Sequence, residues 1–303
     1  EAPPRLVAAR EEGVQYSLAD RGDELFILTN ADDAIDFKIV TTPLAAPERK
    51  NWRDLIPYRP GIYIIDLDLY AGHLVRLERA NALPSIVIRD LATREEHAIA
   101  FDEAAYSLDT MGSYEFDTTN LRFAYSSMTT PSEVYDYDMA KRTRVLRKRQ
   151  EIPSGHIAAD YVTTRIMAKA QDGAEVPVSI LYRRGLKLDG TAPLLLYGYG
   201  SYGMAMPASF NANRLSLVDR GFVYAIAHIR GGQEMGRKWF DQGKVLNKKN
   251  SFTDFIDVTR FLVDQGYAAK GRVAAMGGSA GGLLMGGIAN MAPQDYRVIV
   301  AQV

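Results

Sequence analysis

The chain of 303 residues contains no cysteine. This excludes a disulfide framework, a thiolate zinc site, an iron–sulfur cluster and a cysteine nucleophile. A charge surplus is missing too: 36 Lys+Arg face 37 Asp+Glu, for a formal net charge of −1. A dedicated nucleic-acid binder carries a marked basic excess, so no nucleic-acid partner is expected. Long apolar runs are scarce. Val273–Ala292 is free of charge, but Gly277-Gly278 interrupts it, so a buried strand, a tight turn and a helix are expected rather than a membrane span. The first ten residues carry no apolar signal core, and the chain begins with Glu1. A cytoplasmic location is expected, with a periplasmic one left open. What remains, 47% hydrophobic and 24% charged residues, is the mix of a globular protein.

Polarity patterning divides the chain near Pro153-Ser154-Gly155. Before that point run short segments rich in Ile, Val, Tyr and Phe: Glu24–Thr29, Gly61–Leu69, Leu74–Arg79, Ser85–Asp90, Leu121–Ser126 and Glu133–Asp138. Turn clusters such as Asp117-Thr118-Thr119-Asn120 separate them, and no stretch shows helical apolar spacing. Residues 1–153 therefore read as all-β. The spacing suits propeller blades of four strands and about fifty residues each. That gives roughly three blades where a closed propeller needs about four to eight, so these are expected to be the C-terminal blades of a larger propeller.

Residues 154–303 change grammar. Strand-like Ile166–Ala170, Val176–Tyr182, Pro193–Tyr199, Phe222–Ala227, Val273–Met276 and Val298–Val303 alternate with helical Asn211–Val218, Ser251–Asp264 and a segment from Ala280. Ser251 is the expected cap of its helix, with Asp254 three residues later and Gly266 at the end. Such alternation indicates an α/β sheet, mostly parallel.

The strongest chemical motif is Gly277-Gly278-Ser279-Ala280-Gly281, a Gly-x-Ser-x-Gly sequence between a strand and a helix. The turn there must be tight enough to lift a serine hydroxyl above the sheet, so small neighbours are required. The helix start also aims unpaired N–H groups and partial positive charge at the serine, which suits a developing oxyanion. Gly198-Tyr199-Gly200-Ser201-Tyr202-Gly203 offers a rival, because Gly-x-Gly-x-x-Gly after a strand can hold a dinucleotide. Met204-Ala205-Met206-Pro207 opens no helix, however, and the next strand ends at His228 instead of an acid.

Other clusters read as structural. Lys141–Arg149 is an outer strand and turn facing solvent. Asp66 and Asp68 alternate along a strand and face solvent, so no metal is expected, nor any cofactor. The Arg230–Gly236 loop lies at the carboxyl end of a strand, where open α/β sheets bind ligands.

Taken together, Leu196–Gly203, Ile229-Arg230-Gly231-Gly232-Gln233-Glu234, Gly277–Gly282 and Ala301-Gln302-Val303 resemble the prolyl oligopeptidase family of serine peptidases. Ser126-Ser127-Met128-Thr129-Thr130-Pro131 and Asp172–Ser179 resemble its oligopeptidase B (protease II) branch. The resemblance implies a β-propeller capping an α/β-hydrolase domain, with cleavage of short peptides after Arg or Lys. It assigns Ser279 as nucleophile, with the Tyr199 hydroxyl and the Ala280 N–H as oxyanion donors. Tyr202, Arg230 and Glu234 are expected near the substrate pocket.

The family's Asp and His should follow the serine, yet after Ser279 the only acid is Asp295 and there is no histidine. The chain accordingly reads as an internal piece, cut before those two residues and inactive alone. The alternatives are a non-catalytic propeller–hydrolase binding protein, or His228 as a substitute base.

Overall fold

The computed structural model describes residues 4–302. Residues 1–3 lie outside the described residues, as does Val303, the expected end of the last strand.

Turn chemistry cuts the first half into hairpins. Its strands are β1 (Tyr16–Arg21), β2 (Glu24–Thr29), β3 (Lys38–Pro43), β4 (Arg53–Ile56), β5 (Ile62–Leu69), β6 (His73–Ala80), β7 (Leu83–Asp90), β8 (Glu96–Ala98), β9 (Tyr106–Thr110), β10 (Asn120–Ser127), β11 (Glu133–Asp138) and β12 (Thr143–Arg149). They form three antiparallel sheets of four, β1 to β4, β5 to β8 and β9 to β12, each in chain order. Asn81 and Ala82 join β6 to β7 with φ of 49° and 61°, the two positive values a type I′ hairpin needs. Buried side chains fill the spaces between successive sheets. Phe26, Leu28 and Ile39 meet Ile64 and Leu74, while Val75, Ile86 and Ile88 meet Leu121, Phe123 and Tyr137. This is a β-propeller arc of three blades. Strand β12 is exposed along its length, as its basic run predicts.

The second half is built from β13 (Tyr161–Lys169), β14 (Glu175–Arg183), β15 (Leu194–Gly198), α1 (Ala212–Val218), β16 (Val223–Ala227), α2 (Arg237–Asp241), α3 (Lys249–Asp264), β17 (Val273–Gly278), α4 (Ala280–Met291) and β18 (Val298–Gln302). One sheet takes the order β13-β14-β16-β15-β17-β18; its first two pairings are antiparallel and the rest parallel. Side chains alternate between its faces. Leu194 and Leu196 join Phe255 and Leu262 of α3 and Leu284 and Ile288 of α4, whereas Leu195 and Tyr197 turn toward Leu215 and Val218 of α1. Ala105 and Met128 of the third blade pack into this second cluster. Val273–Ala292 is the strand β17 and the helix α4, and among the described residues no helix is long and apolar enough to cross a membrane.

Three expectations need correction. Helix α3 starts at Lys249, before Ser251, because the Ser251 hydroxyl donates to the Arg230 carbonyl (2.6 Å) and does not cap its own helix. Asp254 is fully buried against Arg230, so it too is spent on a tertiary contact. Asp66 is exposed, but Asp68 is half-buried, and burial pushes its carboxyl up.

Strand β6 ties the middle blade to the second half. Its Arg76 has no exposed surface; the guanidinium reaches Glu78 at 2.7 Å and Glu96 at 2.9 and 3.0 Å. Three residues on, Arg79 donates to the Gln233 carbonyl at 3.5 Å. Truncating Arg76 would leave buried Glu78 with Arg59 alone and Glu96 with Arg89 alone, and would open a void where the guanidinium was. Arg76→Ala in the whole protein is therefore expected to cost about 2–3 kcal/mol, read as a shift in the urea midpoint. A loss below about 1 kcal/mol would mean that Glu78 and Glu96 are satisfied without Arg76.

Candidate active site

Between β17 and α4 the backbone turns at a single residue. Ser279 has φ 52° and ψ −120°, a conformation that L-residues with a Cβ avoid at a cost of about 1–3 kcal/mol. Close backbone approach forces it. A Cβ placed on Gly277 would lie 2.5 Å from the Gly281 carbonyl oxygen and 3.0 Å from that of Gly198; one on Gly281 would lie 3.0 Å from the Gly198 oxygen. The first turn of α4 thus rests directly on the end of β15. The Ser279 N–H donates to the Gln302 carbonyl (2.7 Å), and its own carbonyl accepts from the Gly282 N–H (2.8 Å). Held on both sides, the turn keeps the Ser279 side chain exposed, and its hydroxyl makes no hydrogen bond to any described residue.

Ala280 and the ring of Tyr199 stand beside this serine's turn. Ala280 is the first residue of α4, where N–H groups lack intrahelical acceptors and the helix dipole is positive. Tyr199 follows β15, and its ring lies beside the same first turn: a Cβ on Gly281 would be 3.6 Å from Tyr199 Cδ2. Tyr199 is 8% exposed. Strands β15 and β17 are parallel neighbours paired at Tyr197 and Met276, so both site segments leave the sheet at the same edge.

The remaining sequence candidates lie around this centre with other partners. After Gly203 no helix opens until α1, so the context of a dinucleotide fingerprint is not found. The glycines serve contact instead: a Cβ on Gly200 would strike Ile229, and one on Gly203 would strike Gln233. Tyr202 is exposed, with φ 58°.

Arg230 is turned into the protein. Its Nη2 reaches Asp254 Oδ1 at 2.5 Å, and Nη1 reaches Asp172 at 2.7 Å. Burial works against the Arg230 charge, but the bonds from Asp254 and Asp172 outweigh it and hold the pKa above the ordinary arginine value. Asp172 in turn is held below the usual carboxylate range by Arg230. Glu234 is also buried; its Oε1 accepts from the Met206 N–H at 2.9 Å, and its Oε2 has no partner among the described residues.

His228 does not serve Ser279. Its Nε2 meets the Ser179 hydroxyl at 2.8 Å, its Nδ1 lies 3.4 Å from Glu234, and β15 separates its strand from β17. His156 bonds the Thr129 carbonyl at 2.6 Å, and Asp295 pairs with Arg260 at 2.8 Å. Among the described residues no cluster could hold a metal ion. Sequence reasoning missed Lys248, Asp172 and Asp254 as supports of the site, because their partners Gly200, Ser201 and Arg230 are distant in sequence.

Comparison with known proteins agrees with this fold. A family model described as prolyl oligopeptidase family matches residues 208–303, and one described as prolyl oligopeptidase, N-terminal beta-propeller domain matches residues 1–150. The chain is 49% identical to dipeptidyl aminopeptidase BI of Pseudoxanthomonas mexicana, covering 98% of this chain and 41% of the relative. It is 34% identical to protease 2 of Moraxella lacunata, covering 100% and 43%. The chain thus spans about two-fifths of the length of these curated relatives. Among solved structures, oligopeptidase B from Trypanosoma brucei with covalently bound antipain superposes with a TM-score of 0.91 at 36% identity, over 97% of this chain and 42% of that one.

The strained turn yields a stability test. Glycine relieves this strain at an entropic cost of about 0.4–1 kcal/mol in the unfolded chain, so Ser279→Gly is expected to raise stability by about 1 kcal/mol. Ser279→Ala keeps the Cβ and should leave stability nearly unchanged. Equal melting temperatures for the glycine and alanine variants would refute the strain at this residue.

Proposed function

The chain belongs to the prolyl oligopeptidase family, and from that premise we propose that the protein carrying it is a serine peptidase that cleaves short peptides through an acyl-enzyme on Ser279. The carrying observation is the strained, exposed Ser279 at the head of α4, with a free helix N-terminus beneath it. In the proposed reaction the Ser279 Oγ attacks the scissile carbonyl carbon as a general base takes its proton. The carbonyl oxygen becomes an oxyanion and accepts hydrogen bonds from the Ala280 N–H and the Tyr199 hydroxyl, fixed donors that need no rearrangement as charge develops. Collapse expels the amine, which receives the proton. Water then releases the acyl group by the same steps in reverse roles. The proposed base is a histidine, oriented by an aspartate, in the part of the relatives' length that this chain does not span. His228 bonds Ser179 and lies across β15 from β17, which speaks against it as the base.

The test is direct. A fluorophosphonate probe should label the whole protein at Ser279 and lose all labelling in Ser279→Ala. Tyr199→Phe should lower kcat by about 10²–10³ with folding nearly intact. Unchanged kcat with a lowered melting temperature would return Tyr199 to a core role.

For specificity we propose cleavage after Arg or Lys, supported by the similarity to oligopeptidase B and protease 2. No carboxylate occurs in Met204–Ser209, and Glu234 behind it faces His228. A buried cation needs a paired charge, so a second basic residue before the cleaved one should gain little. A dibasic substrate preferred over a Gly-Arg one by more than about tenfold, or about 1.4 kcal/mol, would sink this claim. The 49% identity to a dipeptidyl aminopeptidase favours a second reading, removal of dipeptides from free N-termini. Acetylating the substrate's amino group separates the two: an endopeptidase keeps its rate, whereas a dipeptidyl aminopeptidase loses it.

A further inference from the structure

Three loop carbonyls, those of Gly200, Arg230 and Gly243, converge on the N-terminus of α3. The Ser251 hydroxyl gives its proton to Arg230 O (2.6 Å) and lies 3.3 Å from the other two oxygens. Beside it stands Lys248. Its ammonium donates to the Gly200 carbonyl, to Ser201 Oγ (2.7 Å) and to Ser251 Oγ (3.3 Å). Gly200 and Ser201 directly follow Tyr199, so two of the three bonds of this ammonium grip the loop that carries the tyrosine, and the third ties it to Ser251 of α3. The same loop is pressed from the other side, because a Cβ on Gly231 would strike the Gly200 carbonyl. We propose that Lys248 is a positioning residue for catalysis, holding the Gly198–Gly203 loop so that the Tyr199 hydroxyl meets the oxyanion. This rests on the reading of Tyr199 as an oxyanion donor.

The surrounding charges leave Lys248 to this task. Arg230 is taken by Asp172 and Asp254, Asp241 pairs with Lys244 and Arg237, Lys249 is exposed, and Tyr199 and Tyr202 flank the gripped residues. Among the described residues no carboxylate pairs with Lys248, and burial pushes its ammonium down to about 8. The signs of the two pH effects then differ. An unfolded lysine stays protonated to about pH 10.4. Between about pH 8 and 10 the unfolded chain therefore binds more protons, and this group's contribution to stability rises with pH. Turnover should fall over the same window, as the neutral amine loses its charge-assisted bonds to the loop.

The experiment is done on the whole protein with a peptide amide substrate. Lys248→Met is expected to lower kcat about 10- to 100-fold, the range for losing hydrogen bonds to a charged group, with KM nearly constant. In the Tyr199→Phe background the same change should cost less than about twofold, because partners in one chain of action are not additive. Wild-type kcat should decline above about pH 8, and Lys248→Arg, which does not titrate there, should abolish that limb. Hydrogen exchange of Gly200–Gly203 should quicken in Lys248→Met without change elsewhere in the sheet.

Equal losses of kcat from Lys248→Met with and without the Tyr199 hydroxyl would overturn the proposal, as would a wild-type limb that survives Lys248→Arg. Should Tyr199→Phe leave kcat unchanged, the oxyanion reading fails by itself; the exchange rates of the loop still decide whether Lys248 holds it. If Lys248→Met does not fold, the wild-type and Lys248→Arg pH profiles carry the test alone.

Discussion

Backbone pressed against backbone, with no Cβ between, is the constraint on which this site depends. The Gly198 carbonyl lies where side chains on Gly277 or Gly281 would collide with it, and only that intimacy lets α4 begin on the end of β15. From it follow the forced turn at Ser279, the exposure of its hydroxyl and the nearness of Tyr199. Phe255 and Leu284 close over Gly198 from the helical face, so the core beneath the site and the turn above it are fixed by the same contact. A methyl group inserted there would push on a rigid carbonyl instead of a yielding side chain, and close-packed interiors do not absorb such displacement cheaply.

Helix α3 does the complementary work with polar groups. One side of it, Phe255, Val258 and Leu262, supplies the core. Its leading end, with Ser251 and Asp254, faces the loops and meets their unpaired carbonyls and the buried Arg230. The Arg230–Asp254 pair is costly to bury. Its bidentate geometry and the third bond to Asp172 make it a fixed corner, against which the Gly200 and Gly231 loops can stack.

Much of this was legible in the residues. Alternating polarity located the blade strands, with Glu24–Thr29 and Glu133–Asp138 agreeing residue for residue with β2 and β11. The Gly-x-Ser-x-Gly pattern located the elbow because its chemistry and its sterics demand the same small residues. Illegible were the long-range partners. Ser251 and Asp254 have ideal identities for a helix start, and local rules assigned them there; tertiary hydrogen bonds claimed them instead. Lys248 sits in the polar run Lys248-Lys249-Asn250, and only the folded chain distinguishes the half-buried lysine from the exposed one. The Ser126–Pro131 segment, recognised as a motif, proves to be a shell of hydroxyls around the Glu103 carboxylate, with bonds from Ser127 and Thr130 at 2.6 and 3.0 Å.

Besides the packing of Ala105 and Met128, the propeller arc and the mixed sheet meet at the segment between Arg230 and Arg237. Tyr63 donates to the Gln233 side chain at 3.2 Å, Arg79 to its carbonyl, and the Arg237 N–H donates to Asp36 at 2.8 Å. That segment also carries Gly231, packed on the Gly200 carbonyl. The joint between the two units is therefore geared to the tyrosine loop. A displacement that drew the first two blades away from this segment would have to break these three bonds, or transmit its pull along the segment to the backbone beside Tyr199.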